Sequence, residues 1–275
     1  MQWSHVIVRY GELFLKGKNR GDFEKRLVKN IKDITAQSEV RLCPGRVFIP
    51  FWLNHSTVRR VFGITSYSPA LRVEKNMDAI FAAVDKIVRE QNFISLVGAH
   101  RSDKNFELTS PEITKAVAGY LHATFPTYEF REDQTMTVEI HGLGAYLYNE
   151  KVPCFGGLPT GCDGQVMALV DSPQSVLSSL LCMKRGMNVI PVTFGETDIS
   201  LLQQFSSIPI RLHQVKNWDE VDELAQKMKI QVITCGQTFE TFSDLKTTLL
   251  PLRPLIAYSS EKIKNDFEMY RQAAF

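Results

Sequence analysis

The spacing of apolar residues changes along the chain, and the first 70 residues predict a small α+β unit. Residues 5–9 are apolar and β-branched, which is typical of a strand, whereas residues 11–19 are rich in turn formers. From Arg20 onward, apolar side chains recur at helical spacing and basic side chains occupy other positions. The apolar positions are Phe23, Leu27 and Ile31, and the basic ones are Lys25, Arg26, Lys29 and Lys32. This pattern predicts a helix with one buried face and one basic face.

Residues 71–162 predict a second α+β unit. A strand near residue 71, a helix over residues 78–89 and a strand over residues 93–99 follow one another. Ser110 is an expected N-cap with Pro111 at the first helical position, so a second helix should run to about residue 123. Residues 135–140 and 145–148 then predict a pair of strands.

A glycine-rich run at residues 156–161 marks an expected domain boundary, beyond which strands alternate with helices. The predicted strands are residues 166–170, 188–192, 208–212 and 230–235, and the predicted helices are residues 173–185, 199–205 and 218–228. Such alternation predicts a parallel sheet covered by helices, with ligands beyond the carboxyl ends of the strands. The expected fold class is therefore α+β in the amino-terminal part, followed by an α/β parallel-sheet domain.

Charge is distributed unevenly along the chain. The first 60 residues contain twelve Lys and Arg against five Asp and Glu, although the net charge of all 275 residues is only +2. A basic region on a nearly neutral protein is typical of a polyanion partner, because neutralising phosphates releases counterions. A solvated helix face is the alternative explanation of the charge alone.

Cysteine and histidine usage argues against disulfides and metal sites. The five cysteines are scattered without a Cys-x-x-Cys pair, which favours a reducing compartment, and the six histidines show no metal-ligand spacing. No apolar run approaches the roughly 18 residues of a membrane helix, and the first residues lack the pattern of a signal peptide. We therefore expect a soluble, cytoplasmic protein without a metal cofactor.

Three stretches in order resemble one known family. The first is Arg-Tyr-Gly-Glu-Leu at residues 9–13, which continues through residues 15–20 into the basic helix. The second covers residues 101–106 and 108–113, and the third is Gly-Gly-Leu-Pro-Thr-Gly at residues 156–161, followed by residues 183–186 and 189–192. Together they resemble the tRNA 4-thiouridine synthetases, which are tRNA sulfurtransferases, and the second stretch is similar to a THUMP domain.

The resemblance implies a domain order and a partner. It implies an amino-terminal ferredoxin-like domain at residues 1–70, a THUMP RNA-binding domain at residues 71–162 and a PP-loop, Rossmann-like domain at residues 163–275. In the family, the first two domains hold the acceptor end of tRNA, and the third adenylates uridine 8 for sulfur insertion. Basic side chains can bind backbone phosphates without reading sequence. The candidate RNA-binding residues are Arg9, Lys16, Lys18, Arg20, Lys25, Arg26, Arg101 and Lys104.

The chain departs from the family at the expected nucleotide loop. The family places Ser-Gly-Gly-x-Asp-Ser between a strand and a helix, because glycines let backbone N–H groups approach the ATP phosphates. Here Asp171 and Ser172 occupy the glycine positions, Gln174 replaces the Asp, and Ser175 alone matches. Ser172 can cap the following helix with Pro173 in its first turn, so the sequence predicts a degenerate loop that does not bind ATP.

Sulfur chemistry has weak support in the sequence, since a persulfide route needs an activated thiol and a second, resolving thiol. Ser175 and Cys235 are the weak catalytic candidates, Cys235 because it ends a predicted strand. The leading hypothesis is a tRNA-binding protein without cofactor, whose last domain serves structure, homodimerisation or partner binding. Two alternatives stay open: an active tRNA sulfurtransferase that uses ATP and magnesium to form 4-thiouridine at position 8, or an accessory subunit that presents tRNA to a modification enzyme.

Overall fold

The chain forms two β-sheets with helices packed against them, and the computed structural model describes residues 2–11 and 19–274. The first sheet contains β1 (His5–Tyr10), β2 (Arg41–Cys43), β3 (Arg46–Pro50), β4 (Ile64–Val73), β5 (Phe93–Arg101), β6 (Glu129–His141), β7 (Gly144–Tyr148) and β8 (Val152–Pro153). The second contains β9 (Gln165–Leu169), β10 (Asn188–Thr193), β11 (His213–Gln214), β12 (Val232–Thr234) and β13 (Leu250–Leu252). The α-helices are α1 (Arg20–Thr35), α2 (Met77–Gln91), α3 (Ser110–Thr124), α4 (Pro173–Lys184), α5 (Ser200–Gln204), α6 (Trp218–Met228) and α7 (Ser260–Ala274).

The first sheet is mixed and has the strand order β2-β3-β1-β4-β7-β6-β5, with β8 paired to β4. β6 runs parallel to β5 and antiparallel to β7, and β7 is antiparallel to β4. The second sheet has the order β11-β10-β9-β12-β13, and each neighbouring pair is parallel. The α+β part and the parallel α/β part predicted from the sequence are therefore confirmed.

Contacts between residues divide the chain into two compact units. Unit 1 comprises Met1–Val8, Phe48–His55 and Tyr67–Val152. Unit 2 comprises Arg9–Val47, Ser56–Ser66 and Pro153–Phe275. Helix α1, near the amino terminus, thus belongs to the same unit as the parallel sheet. The domain boundaries at residues 70 and 162 stay predictions.

The core of unit 1 lies where α2 and α3 cover strands β5, β6 and β7. Its buried apolar side chains follow helical spacing on α2 and α3 and alternate along the strands, as the sequence predicts. Phe81 of α2 stacks on Tyr120 of α3, with ring centroids 4.4 Å apart. One detail of the prediction is wrong: α3 is capped by Thr109, whose N–H donates to the Glu112 carboxylate at 2.7 Å, and Ser110 is already helical.

Unit 2 is held together by an apolar core around α4 and by a group of aromatic rings. Phe155 stacks on Tyr270 of α7 at 4.2 Å between ring centroids, and Phe62 stacks on Phe205 at 5.3 Å. Leu27 and Ile31 of α1 are fully buried, which confirms the apolar face of that helix. Among the described residues, no helix has the length and apolar character needed to cross a membrane.

One predicted strand of unit 2 is wrong. Residues 208–212 form no strand, and the pairing with β10 is made by His213 and Gln214 of β11. Pro209 has no N–H to offer a neighbouring strand, and the N–H of Ile208 is bonded to Ser206 Oγ at 3.3 Å. The segment therefore forms a loop, in spite of its β-branched residues, and the sheet resumes only beyond it.

Candidate functional site

The predicted nucleotide loop lies where parallel α/β sheets bind ligands, at the carboxyl end of β9. Residues 170–172 connect β9 to α4, as the sequence predicts, and Ser172 is the N-cap of α4. Beyond the adjacent strand β12, Cys235 and Gly236 reach the same edge of the sheet. A cavity of about 350 Å³ is lined by Asp171, Ser172 and Gln174 of the loop and by Cys235, so the topology brings Cys235 to the predicted nucleotide loop.

Side chains of this segment accept hydrogen bonds from its own backbone N–H groups. Ser175 Oγ accepts hydrogen bonds from the N–H of Asp171 and the N–H of Ser172, both at 2.9 Å, and donates to Ser172 O at 2.7 Å. In turn Ser172 Oγ accepts from the N–H of Ser175 at 3.3 Å and donates to the Asp171 carboxylate at 3.1 Å. A phosphate at a helix N-terminus needs such N–H groups. Here the N–H groups of Asp171, Ser172 and Ser175 are bonded within residues 171–175.

Gly236 brings a second backbone segment against the same turn of α4. A Cβ at Gly236 would lie 2.6 Å from the amide nitrogen of Ser175 and 2.9 Å from the carbonyl carbon of Gln174, which is too close for any side chain. Gln174 and Gly236 both line the 350 Å³ cavity. The close approach narrows the space in front of the amide of Ser175.

Cys235 is buried, with 2% of its surface exposed. Burial is the largest cause that raises the pKa of Cys235, while a backbone hydrogen bond from Gln237 and the charge of Arg253 act in the opposite direction and Asp171 adds to the rise. A raised pKa opposes the thiolate that a nucleophilic cysteine needs. Ser178 Oγ donates to the carbonyl of Cys235 at 2.8 Å, which fixes the end of β12.

The cavity has aromatic walls that the sequence analysis did not identify. Phe194 follows β10, and its ring makes an edge contact with Trp218 of α6, with centroids 5.1 Å apart. Phe194 is 41% exposed, so the pair offers an aromatic surface to the cavity. Their positions in the sequence could have identified them, because Phe194 comes directly after β10 and Gly236 comes two residues after β12, at the carboxyl end of the parallel sheet.

The basic face predicted for α1 is present in unit 2. Lys25, Lys29 and Lys32 are exposed, and Arg26 is half-buried. Lys25 lies 3.7 Å from Asp22, a fully exposed ion pair that contributes little. Arg20 is more tightly engaged, because its Nε donates to Glu24 at 2.7 Å and the same carboxylate accepts from Tyr10 at 2.8 Å.

The other candidate RNA-binding residues lie in different surroundings. Arg9 is 7% exposed within β1, and this burial argues against a direct phosphate contact through its side chain. In unit 1, Arg101 donates to the carbonyl of Phe106 at 2.9 Å and so holds the loop after β5, while Lys104 is exposed on that loop. Lys16 and Lys18 lie outside the described residues.

Comparison with known families matches the amino-terminal half of the chain. The ThiI ferredoxin-like domain matches residues 5–68, and the THUMP domain matches residues 74–150. A probable tRNA sulfurtransferase from Mycoplasmopsis synoviae is 32% identical over 228 residues, which cover 78% of this chain and 60% of that protein. The chain spans about half the length of other curated relatives that it matches, such as those of Streptococcus pneumoniae.

Two solved structures share the fold over nearly the whole chain. The protein PH1313 from Pyrococcus horikoshii is 28% identical, with a TM-score of 0.83 over 97% of this chain and 99% of that one. A 4-thiouridine synthetase solved as an RNA complex with bound ATP has a TM-score of 0.80 over 100% of this chain and 87% of that one, at 23% identity. The two domain matches and the curated relatives show that the chain belongs to the tRNA sulfurtransferase family.

Proposed function

We propose that this chain is a tRNA-binding member of the family that does not carry out the ATP-dependent activation of uridine itself. The observation that carries the proposal is the position of Ser175 Oγ, which accepts from the N–H groups of Asp171 and Ser172. A phosphate could use those N–H groups only after the hydrogen bonds within the loop had broken. The proposal accordingly includes no nucleotide or metal cofactor.

The charge of Asp171 acts in the same direction. A carboxylate about 4 Å from a phosphate charge costs on the order of 4 kcal/mol at an effective dielectric near 20, or roughly a thousandfold in affinity. Asp171 is exposed, so solvent and salt reduce this cost, but its sign stays unfavourable. Occupied N–H groups and an added negative charge together support loss of ATP binding.

Binding of tRNA is supported by the amino-terminal domains and by their charge. The THUMP match covers residues 74–150, and α1 presents Lys25, Lys29 and Lys32 to solvent. Exposed lysines on a helix suit the phosphates of a folded RNA, which they can contact without reading its bases. The curated relatives are probable tRNA sulfurtransferases, and one structural neighbour was solved with RNA, which makes tRNA the polyanion that we propose.

An active tRNA sulfurtransferase is the second candidate, and one observation favours it. Cys235 lines the same cavity as the loop at residues 171–175, so a thiol and the place of the family's nucleotide loop share one edge of the sheet. In that case ATP and magnesium would be needed, and Ser175 and Cys235 would be catalytic candidates. The raised pKa of Cys235 and the occupied loop are the reasons for placing this candidate second.

The test is to measure tRNA binding and ATP binding side by side on the full chain. The full chain is needed because unit 2 combines residues from both ends of the sequence, so a truncation would divide it. We expect salt-sensitive binding of unmodified tRNA, no calorimetric signal for micromolar binding of ATP with magnesium, and no release of pyrophosphate. A clear ATP isotherm that disappears in Ser175→Ala, together with pyrophosphate release, would establish the second candidate instead.

A further inference from the structure

A larger cavity of about 580 Å³ lies in unit 2 at the opposite end of α4 from the nucleotide loop. Its wall includes Gly157, the end of α4 at Lys184 and Arg185, and Tyr258 ahead of α7. The twelve residues of α4 correspond to roughly 18 Å of helix, at about 1.5 Å per residue. The cavity is therefore separate from the site around Ser175.

The glycine-rich linker forms a rigid part of this wall. Gly157 has φ +79°, and a Cβ there would overlap the carbonyl oxygen of Lys184. Leu158 N–H donates to that carbonyl at 2.8 Å, and Gly161 N–H donates to the carbonyl of Gly186 at 2.7 Å. Two family-like motifs of the sequence, at residues 156–161 and 183–186, are thus joined by backbone hydrogen bonds around the cavity.

Two adjacent cations, Lys184 and Arg185, lie on the wall. Neither Lys184 nor Arg185 makes an ion pair with any residue that the structure describes, although both line the cavity. The negative end of the α4 dipole also lies here and favours cations. Lys262 Nζ lies 4.7 Å from the ring centroid of Tyr258, but its charge is paired with Asp266 at 3.0 Å, so Lys184 and Arg185 are the cations that the proposal uses.

The rest of the wall is apolar and aromatic, with Leu181, Met187, Leu252 and Pro254 beside Tyr258. A ligand that fits both parts has a planar ring for the apolar and aromatic surface and an anionic group for Lys184 and Arg185. Nucleotides have this chemistry, and proteins that bind single-stranded RNA combine aromatic rings with basic side chains. The volume falls within the roughly 300–1,000 Å³ that is usual for small-ligand sites.

We propose that this cavity binds one unstacked nucleotide of a bound RNA strand, with the base against Tyr258 and the phosphate between Lys184 and Arg185. A free nucleoside monophosphate has the same chemistry and serves as the probe. The inference rests on the proposed RNA binding only for the source of the nucleotide. The proposed binding does not depend on the loop at residues 171–175. The variant Ser175→Ala should therefore leave nucleotide binding in the cavity unchanged.

The experiment uses the full chain with methyl-labelled methionine and follows the signal of Met187, which lines the cavity. The probes are uridine monophosphate, inorganic phosphate and unmodified tRNA. The test variants are the double variant Lys184→Ala/Arg185→Ala, Tyr258→Ala and the conservative Tyr258→Phe. A charge-matched control, Lys216→Ala/Lys227→Ala, removes two exposed lysines of the same unit that do not line the cavity.

We expect uridine monophosphate to shift the Met187 signal and phosphate to do so only at much higher concentration. The double variant and Tyr258→Ala should each weaken uridine monophosphate binding by about tenfold or more, whereas Tyr258→Phe and the control should retain it. The double variant should also weaken tRNA binding by about tenfold relative to the control. Melting curves identify any variant that fails to fold, and the responses of wild-type Met187 to uridine monophosphate and to phosphate then carry the test.

Three results would overturn the inference. An equal response to phosphate and to uridine monophosphate would reduce the cavity to a simple anion site. No Met187 shift, with equal tRNA binding by the double variant and the control, would exclude a nucleotide there. A third result would be that the wild type binds uridine monophosphate while the double variant and the control bind tRNA equally well. The cavity would then bind free nucleotides and not a nucleotide of an RNA strand. Loss of tRNA binding by the wild type itself would instead contradict the proposed function.

Discussion

The Nδ2 of Asn30 donates a hydrogen bond of 2.9 Å to the carbonyl oxygen of Thr160, which is 130 residues away in the sequence. Ser207 Oγ donates to the Oδ1 of the same side chain at 2.9 Å. Asn30 is 1% exposed and belongs to α1, so one buried amide joins the basic helix to the glycine-rich linker and to the loop before β11. The exposed lysines of α1 are thereby held on the same unit as the parallel sheet.

Replacing Asn30 by Ala should destabilise the protein by about 1–3 kcal/mol, because the buried carbonyl of Thr160 loses its partner. Ser207→Ala removes only the second hydrogen bond and should cost about 0.5–1.5 kcal/mol. Urea denaturation of both variants and the wild type measures the difference. Equal stability of Asn30→Ala and the wild type would show that the amide does not support the position of α1.

Neutralising the exposed face of α1 should weaken tRNA binding without unfolding the protein. In the triple variant Lys25→Ala/Lys29→Ala/Lys32→Ala, the slope of log affinity against log salt should fall by about 2–3, close to one for each lost phosphate contact. The melting temperature should change little, because these side chains are exposed.

The control for this experiment is Lys216→Ala/Lys227→Ala/Lys246→Ala, which makes the same charge change at exposed positions elsewhere in unit 2. It should keep a salt slope near that of the wild type. If both triple variants lower the slope equally, the net charge of the chain and not the face of α1 determines the affinity.

A methyl group at Gly236 should disturb the contact between the end of β12 and α4. Its Cβ would lie 2.6 Å from the amide nitrogen of Ser175, so Gly236→Ala should cost about 1–3 kcal/mol through backbone displacement. Gly195→Ala is the matched control, because a Cβ there meets no atom within 4 Å. Urea denaturation should separate the two variants. Similar urea midpoints for the two variants would mean that the backbone after β12 moves away from α4 at little cost in stability.

The protein should lose stability as pH rises above about 9. Burial raises the pKa of the Cys154 thiol to about 12 and raises the pKa values of Cys182, Cys235 and Tyr270, so the folded state holds these protons more tightly than the unfolded state does. That contribution is complete below the unfolded pKa values, near 8.5 for cysteine and 10 for tyrosine, and is lost as pH approaches the folded values.

Urea midpoints measured between about pH 8 and pH 11 test this dependence. We expect a steady fall in the wild type and a shallower one in Cys154→Ala, which lacks the most clearly shifted of these thiols. Identical slopes in the two proteins would assign the alkaline loss to groups other than Cys154.

The features that depend on neighbouring residues could be predicted from the amino-acid sequence. The spacing of Leu27 and Ile31 predicted the buried face of α1, and alternating strands and helices predicted the parallel sheet. Ser172 followed by Pro173 predicted the start of α4, which the structure places at Pro173. Each of these signals lies within a few residues of the element that it determines, so one sequence is enough to show it.

Contacts between distant segments became visible only in the folded chain. A polar Asn30 on the buried face of α1 has no local explanation, since its partners are Thr160 and Ser207. A glycine is required at position 157 because the linker packs against the carbonyl of Lys184, at the end of α4. These contacts join residues that are far apart in the sequence, so no local sequence pattern predicts them.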